Sequence, residues 1–169
     1  FEFLDEPIDL VPLLADRPNL LLMRTFSKIH GLAGLRVGYG IGQPDFIAAL
    51  EKVRQPFNLN ALAQAAARAA LRDDDHVRRT RQANTDGLKQ LQNGLRNLGV
   101  ETVPSYANFI LAKVSDGQAI FAGLQARGVI TRPMVGYQLP EWIRISIGTP
   151  AENKRCLEAL AELLECPAN

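Results

Sequence analysis

The chain has 169 residues, 47% hydrophobic and 22% charged, enough to bury a core in one or two globular units and not the profile of a disordered chain. Nineteen basic residues against 18 acidic ones give a formal charge of +1, so no field of one sign draws it onto nucleic acid or an acidic membrane, and a small-molecule partner fits better. Cys156 and Cys166 show neither metal-ligand spacing nor a secreted disulfide pattern, and no apolar run approaches the ~20 residues of a membrane span, so the composition reads as cytoplasmic, with no metal and no membrane partner.

The chain opens Phe1-Glu2-Phe3-Leu4 without an initiator Met, a cap or a turn signal, which reads as a cut inside a longer protein. Leu20, Leu21, Leu22 and Met23 form a short unbroken apolar run, the pattern of a strand buried on both faces of a parallel sheet. A glycine-punctuated loop from Gly31 to Gly34 follows, then an alternating strand at 36–41. Pro44 opens a helix with Phe46, Ile47, Leu50 and Val53 as its apolar stripe. Residues 60–71 are alanine-rich and predict a closely packed helix. Asp73 caps a long third helix, with Leu88, Leu91, Leu95 and Leu98 inward and Gly99 as its stop. A domain boundary is expected near 73–85. Beyond it come strands at 100–103, 108–113, 129–132 and 143–147, and a helix at 117–127 closed by Gly128. The last helix starts at a capping box of Thr149, Pro150 and Glu152, with Cys156, Leu157, Leu160, Ala161 and Leu164 inward.

The stretch Arg24-Thr25-Phe26-Ser27-Lys28 concentrates chemistry. If 25–27 is extended, period-two alternation points the Thr25 and Ser27 hydroxyls to one side, where both can donate to a phosphate. Arg36 supplies a planar, permanently charged fork suited to a dianion, while Lys28 is an amine able to attack a carbonyl and then move protons. A Ser-Lys after a strand is also compatible with a plain solvated loop. Ile143, Ile145 and Ile147 take one face of their strand and turn Arg144 to the other. Arg132 is either a second cation for the same ligand or a surface residue at a strand end. Asn108 reads as structural and His30 as a loop residue. His76, Arg78, Arg79 and Arg81 read as a solvated helix face, with Asp74 and Asp75 four residues before Arg78 and Arg79, rather than as a nucleic-acid patch. Gly38, Gly40 and Gly42 lack dinucleotide-fingerprint spacing.

The ordered string from Arg24 to Gly38 closely resembles the lysine segment of fold-type I pyridoxal-phosphate aminotransferases, the histidinol-phosphate aminotransferase family in particular. Pro104-Ser105-Tyr106-Ala107-Asn108-Phe109, Gly128-Val129-Ile130-Thr131-Arg132-Pro133 and the stretch from Ile143 to Asn153 are similar to further segments of that family. The resemblance implies that Lys28 carries pyridoxal 5'-phosphate covalently. It further implies that Thr25, Ser27 and Arg36 hold the phosphate, and that Arg144, with Arg132, takes the acidic group of the substrate. It covers about half of the enzyme, lacking the Asp-x-x-Tyr segment that meets the pyridine ring and the N-terminal half. The fragment alone is therefore expected to be nearly inactive.

For the intact enzyme the resemblance implies transamination of a small-molecule amino donor, histidinol phosphate, with the 2-oxo acid 2-oxoglutarate, by a homodimer in histidine biosynthesis. Alternatives are an aromatic or other amino-acid aminotransferase, a threonine-phosphate decarboxylase, or a ligand-sensing aminotransferase-like domain of a transcription regulator. The expected fold is α/β: residues 1–72 as part of a large, mostly parallel-sheet domain, incomplete here, and 73–169 as a small α+β domain. The first part is expected to expose apolar surface.

Overall fold

The apolar run at 20–23 forms a strand, β1 (Leu21–Thr25), in the computed structural model, which describes residues 2–4 and 6–165. It pairs with β2 (Gly38–Gly42), in register from Leu21 opposite Gly42 to Thr25 opposite Gly38. The pairing is antiparallel, as is every strand pairing among the described residues, so the parallel neighbours expected of β1 are not in this segment. The connection at 26–37 holds turns and a short 3₁₀ helix but no crossover helix, and such a chain returns antiparallel. Nor is β1 buried on both faces, for Leu22 is buried while Met23 is 73% exposed. Gly38 is required where the strands meet, because a Cβ there would lie 2.7 Å from the Arg24 carbonyl oxygen.

Helix α1 (Pro44–Val53) starts at its proline, but its stripe stays half open: Phe46 and Ile47 are partly covered while Val53 is 79% exposed. Helix α2 (Ala61–Ala70) is capped by Asn60, whose side-chain oxygen accepts from the Ala63 N–H at 2.8 Å. Its small residues Ala63 and Ala67 pack against Phe26 and Val37, so this core forms directly beneath the loop that carries Lys28. Helix α3 (Asp74–Asn97) begins at Asp73, whose carboxylate accepts from the His76 N–H at 2.9 Å. The chain divides into two compact units between Thr80 and Arg81.

The second unit is built on an antiparallel sheet in the order β3 (Phe109–Lys113), β5 (Trp142–Ser146), β4 (Arg132–Pro133). Both long strands alternate. Ile110, Ala112, Ile143 and Ile145 face inward onto Leu91, Leu95, Leu124 and Leu160, and burying each large aliphatic chain contributes about 1.5–3 kcal/mol. The strands expected at 100–103 and 129–132 are largely absent. Thr102 makes an isolated bridge to Ala112, and only Arg132 and Pro133 of the second run join the ladder. The cause is local. The Val100 N–H closes back onto the Leu95 carbonyl and the Val129 N–H onto the Leu124 carbonyl, both at 2.9 Å, so each amide completes the end of the preceding helix.

Helix α4 (Gly117–Ala126) is capped by Asp116, which accepts from the N–H groups of Gln118 and Ala119. Helix α5 (Pro150–Glu165) has the expected capping box: Thr149 N–H donates to the Glu152 carboxylate at 2.7 Å and Glu152 N–H to the Thr149 hydroxyl at 3.3 Å. These bonds, the backbone one first, hold the Glu152 carboxyl below its ordinary value. Cys156, Ala159 and Leu160 are its buried residues toward the sheet. Cys166 lies outside the described residues.

Candidate active site

In the first unit the polar side chains are presented by a bend rather than by an extended strand. At the end of β1 the Thr25 hydroxyl oxygen accepts from the Ser27 N–H at 3.0 Å, a turn that brings the two residues together where straight alternation was expected. Accepting in this way leaves the Thr25 proton available to donate outward. The Phe26 N–H bonds to the Val37 carbonyl at 3.1 Å, and the Phe26 ring is 3% exposed, which anchors the bend from below. Lys28 then heads a tight turn closed by the Gly31 N–H on the Lys28 carbonyl at 2.9 Å, with Gly31 at φ +69°, where a side chain would be strained. Ile29 inside the turn is 1% exposed, so it is pinned to the core while Lys28 beside it is exposed.

Arg36 adopts a left-handed backbone, φ 51° and ψ 48°, and one of its terminal nitrogens holds the Ala33 carbonyl at 2.8 Å. A non-glycine residue in that region costs of order 1 kcal/mol, and such outliers gather at functional sites. Arg36 also lines a cavity of about 830 Å3, with Gly38, Arg54, Phe57 and Asn58. Phe57 is left-handed too, at φ 54°, and 99% exposed. Arg54 is engaged by Glu51 at 2.8 Å and Asn58 at 2.9 Å, whereas Arg36 has no ion pair among the described residues. The Ser27 hydroxyl and Lys28 amine likewise have no hydrogen-bond or ion-pair partner among the described residues. The segment therefore offers two hydroxyls, an amine and a guanidinium, all donors, with no carboxylate bound to any of them.

In the second unit Arg132 and Arg144 stand directly opposite each other across β4 and β5. Two cations in register repel. Arg144 is on the face away from Ile143 and Ile145, as the alternation required, with its guanidinium 5.0 Å from the centre of the Phe109 ring. Its Nε is buried without a hydrogen-bond partner, and Arg132 has no ion pair among the described residues. An acidic group brought to this face would relieve both the repulsion and the unpaired donor. A separate cavity of about 320 Å3 in this unit is lined by Ile130, Thr131, Ile147, Asn153 and Cys156 rather than by these arginines. Burial raises the Cys156 thiol to about 11, which makes it an inert packing residue.

His76 corrects the sequence reading. It is half-buried instead of lying on a solvated face, and its Nε2 meets the Ile29 carbonyl at 2.9 Å; Arg78 pairs with Asp75 at 2.7 Å, three residues away. No local pattern reveals a contact between residues 47 apart. Phe57 and Asn153 were also missed, since each acts through a backbone angle or a buried amide that composition does not show. Asn108 extends the ladder through its carbonyl, bonded to the Ile147 N–H at 3.0 Å. Gly38, Gly40 and Gly42 lie in β2. Among the described residues no group of three or more His, Cys, Asp or Glu could hold a metal, and no helix is long and apolar enough to cross a membrane.

Residues 2–160 match the family Aminotransferase class I and II, and the chain belongs to that family. Within it the chain is 53% identical, over 163 residues, to the histidinol-phosphate aminotransferase of Akkermansia muciniphila, covering 96% of this chain and 45% of that protein. It is 50% identical to histidinol-phosphate aminotransferase 2 of Ralstonia nicotianae, again over 96% of this chain and 45% of the relative. Among solved structures it is similar to histidinol-phosphate aminotransferase from Sinorhizobium meliloti in complex with pyridoxal-5'-phosphate, with a TM-score of 0.82 and 31% identity over 90% of this chain and 43% of that one. The chain thus spans about 45% of the length of the curated relatives it matches.

Proposed function

We propose that this chain is the lysine-bearing part of a pyridoxal-phosphate-dependent aminotransferase that transfers the amino group of histidinol phosphate to 2-oxoglutarate. The observation that carries the reading is the donor set of Thr25, Ser27 and Lys28 on one anchored bend, none of them tied to a carboxylate, with Arg36, held only by the Ala33 carbonyl, at the end of the same loop. This set fits the cofactor: the hydroxyls and the guanidinium match a phosphate dianion, and a free amine matches an aldehyde. When bound, pyridoxal phosphate supplies a reactive carbonyl and a conjugated ring that takes up the electron pair of the substrate Cα–H bond.

Lys28 would serve twice, as the amine that holds the cofactor and as the base whose Nζ takes up the substrate Cα proton. Arg36 would hold the phosphate through the guanidinium N–H groups that the Ala33 carbonyl does not take, and Thr25 and Ser27 would add hydroxyl donors. In the second unit Arg144 and Arg132 bind the acidic group of each substrate, which completes the pairing their present surroundings lack. On this reading residues 1–72 belong to a larger, mostly parallel-sheet domain, residues 73–169 form the small domain, and the intact enzyme is a cytoplasmic homodimer. The similarity to relatives named histidinol-phosphate aminotransferase supports the choice of amino donor.

The test is the absorbance of the purified chain with pyridoxal phosphate, before and after borohydride, beside Lys28→Ala. A band near about 410–430 nm, with covalent fixation by borohydride at Lys28, is expected of an amine that condenses with the aldehyde. Equal labelling of the two proteins overturns the reading.

A further inference from the structure

We propose that His76 is a positioning residue for Lys28: its ring N–H, donated to the Ile29 carbonyl, locks the turn that presents the amine. The inference rests on the role given to Lys28 above. In that turn the Lys28 carbonyl accepts from the Gly31 N–H and the Phe26 carbonyl from the Leu32 N–H, both at 2.9 Å. The Ile29 carbonyl between them is met from α3, by His76 Nε2 at 2.9 Å. A carbonyl can only accept, so the proton of the ring sits on Nε2. The Thr80 hydroxyl oxygen, 3.4 Å from the same nitrogen, is then a second and weaker acceptor. His76 is itself held in place, because its backbone N–H is the one that Asp73 caps at 2.9 Å. The first turn of α3 therefore braces the lysine turn through a single half-buried side chain, and Ile29, 1% exposed, cannot swing out to find water for its carbonyl.

Removing the ring leaves that buried carbonyl without a partner, and the loss of one such bond loosens the turn by about tenfold in its opening equilibrium. The measurement is amide hydrogen exchange at Gly31 and Leu32 in the wild type, His76→Ala and His76→Gln, together with the rate of borohydride-trapped addition of pyridoxal phosphate to Lys28. Gln keeps an N–H donor at similar reach without the imidazole. In His76→Ala both amides should exchange about tenfold faster, amides of α2 should be unchanged, and trapping at Lys28 should slow by a similar factor. His76→Gln should restore both.

Unchanged exchange at Gly31 in His76→Ala overturns the proposal. So does a rise spread equally over α2, which marks a general structural role, or a His76→Gln variant that behaves like His76→Ala. Failure of the reading of Lys28 looks different: the wild type itself then forms no adduct at that residue, while the exchange data still decide whether His76 locks the turn.

Discussion

Replacing Arg144 by leucine should make the second unit more stable while removing its affinity for anions. The buried, unpartnered Nε costs about 1–3 kcal/mol, and the cation opposite it at Arg132 adds about 0.2–1 kcal/mol of repulsion. Against these stands the contact with the Phe109 ring, worth about 0.5–1 kcal/mol. Leucine at 144 would face Leu111, its register partner on β3, and keep an apolar neighbour for Phe109. The balance favours Arg144→Leu by about 2 kcal/mol, or about 1 M in urea midpoint. Trp142, the one tryptophan of the sequence, lies in β5, so its fluorescence reports this unit. Inorganic phosphate should raise the wild-type midpoint and leave the variant unmoved. A variant that unfolds at clearly lower urea than the wild type would refute the account of Arg144 as a cation kept at a cost for a ligand.

Asn153 is 2% exposed; its amide accepts from the Gly148 N–H at 2.9 Å and donates to Gln90 at 3.1 Å, so Asn153→Ala should cost about 2–4 kcal/mol in the same urea assay, and a loss under about 0.5 kcal/mol would contradict it. Glu152, whose carboxyl is held below 4.5 in the folded chain, stabilises above that value and stops doing so as pH falls through its lowered folded value. The urea midpoint of Glu152→Gln should accordingly fall less than that of the wild type between neutral and acid pH. At pH 8 a thiol raised to about 11 is ionised to roughly one part in a thousand, so Cys156 in the native chain should react with iodoacetamide at least about a hundredfold slower than after unfolding, read by peptide mass.

Much of this architecture is legible in local sequence. The capping box at Thr149, the helix starts at Pro44 and Asp73, and the inward leucines of α3 all depend on groups within a few residues of one another. The face of β5 that carries Arg144 follows from the isoleucines beside it. The strands expected at 100 and 129 failed because the same short apolar runs serve equally to close a helix, and only the fate of one N–H distinguishes the two outcomes. At the site, residue types and order were visible, but the geometry was not. Thr25 and Ser27 meet through a turn, Arg36 sits in a left-handed conformation, and His76 reaches the lysine turn from a distant helix. The first two are local turns that period-two alternation does not describe, and only the third depends on a contact distant in sequence.

The turn at Lys28 has a consequence for proteolysis. Its side chain lies in solvent, yet the peptide bond that follows it joins a carbonyl tied to Gly31 and a residue sealed in the core. A trypsin-like protease must draw several residues into an extended strand before it cuts, which here means extracting Ile29 and breaking the turn. Lys28 can therefore be open to a small aldehyde and closed to a protease at once, because only the tip of the residue is accessible.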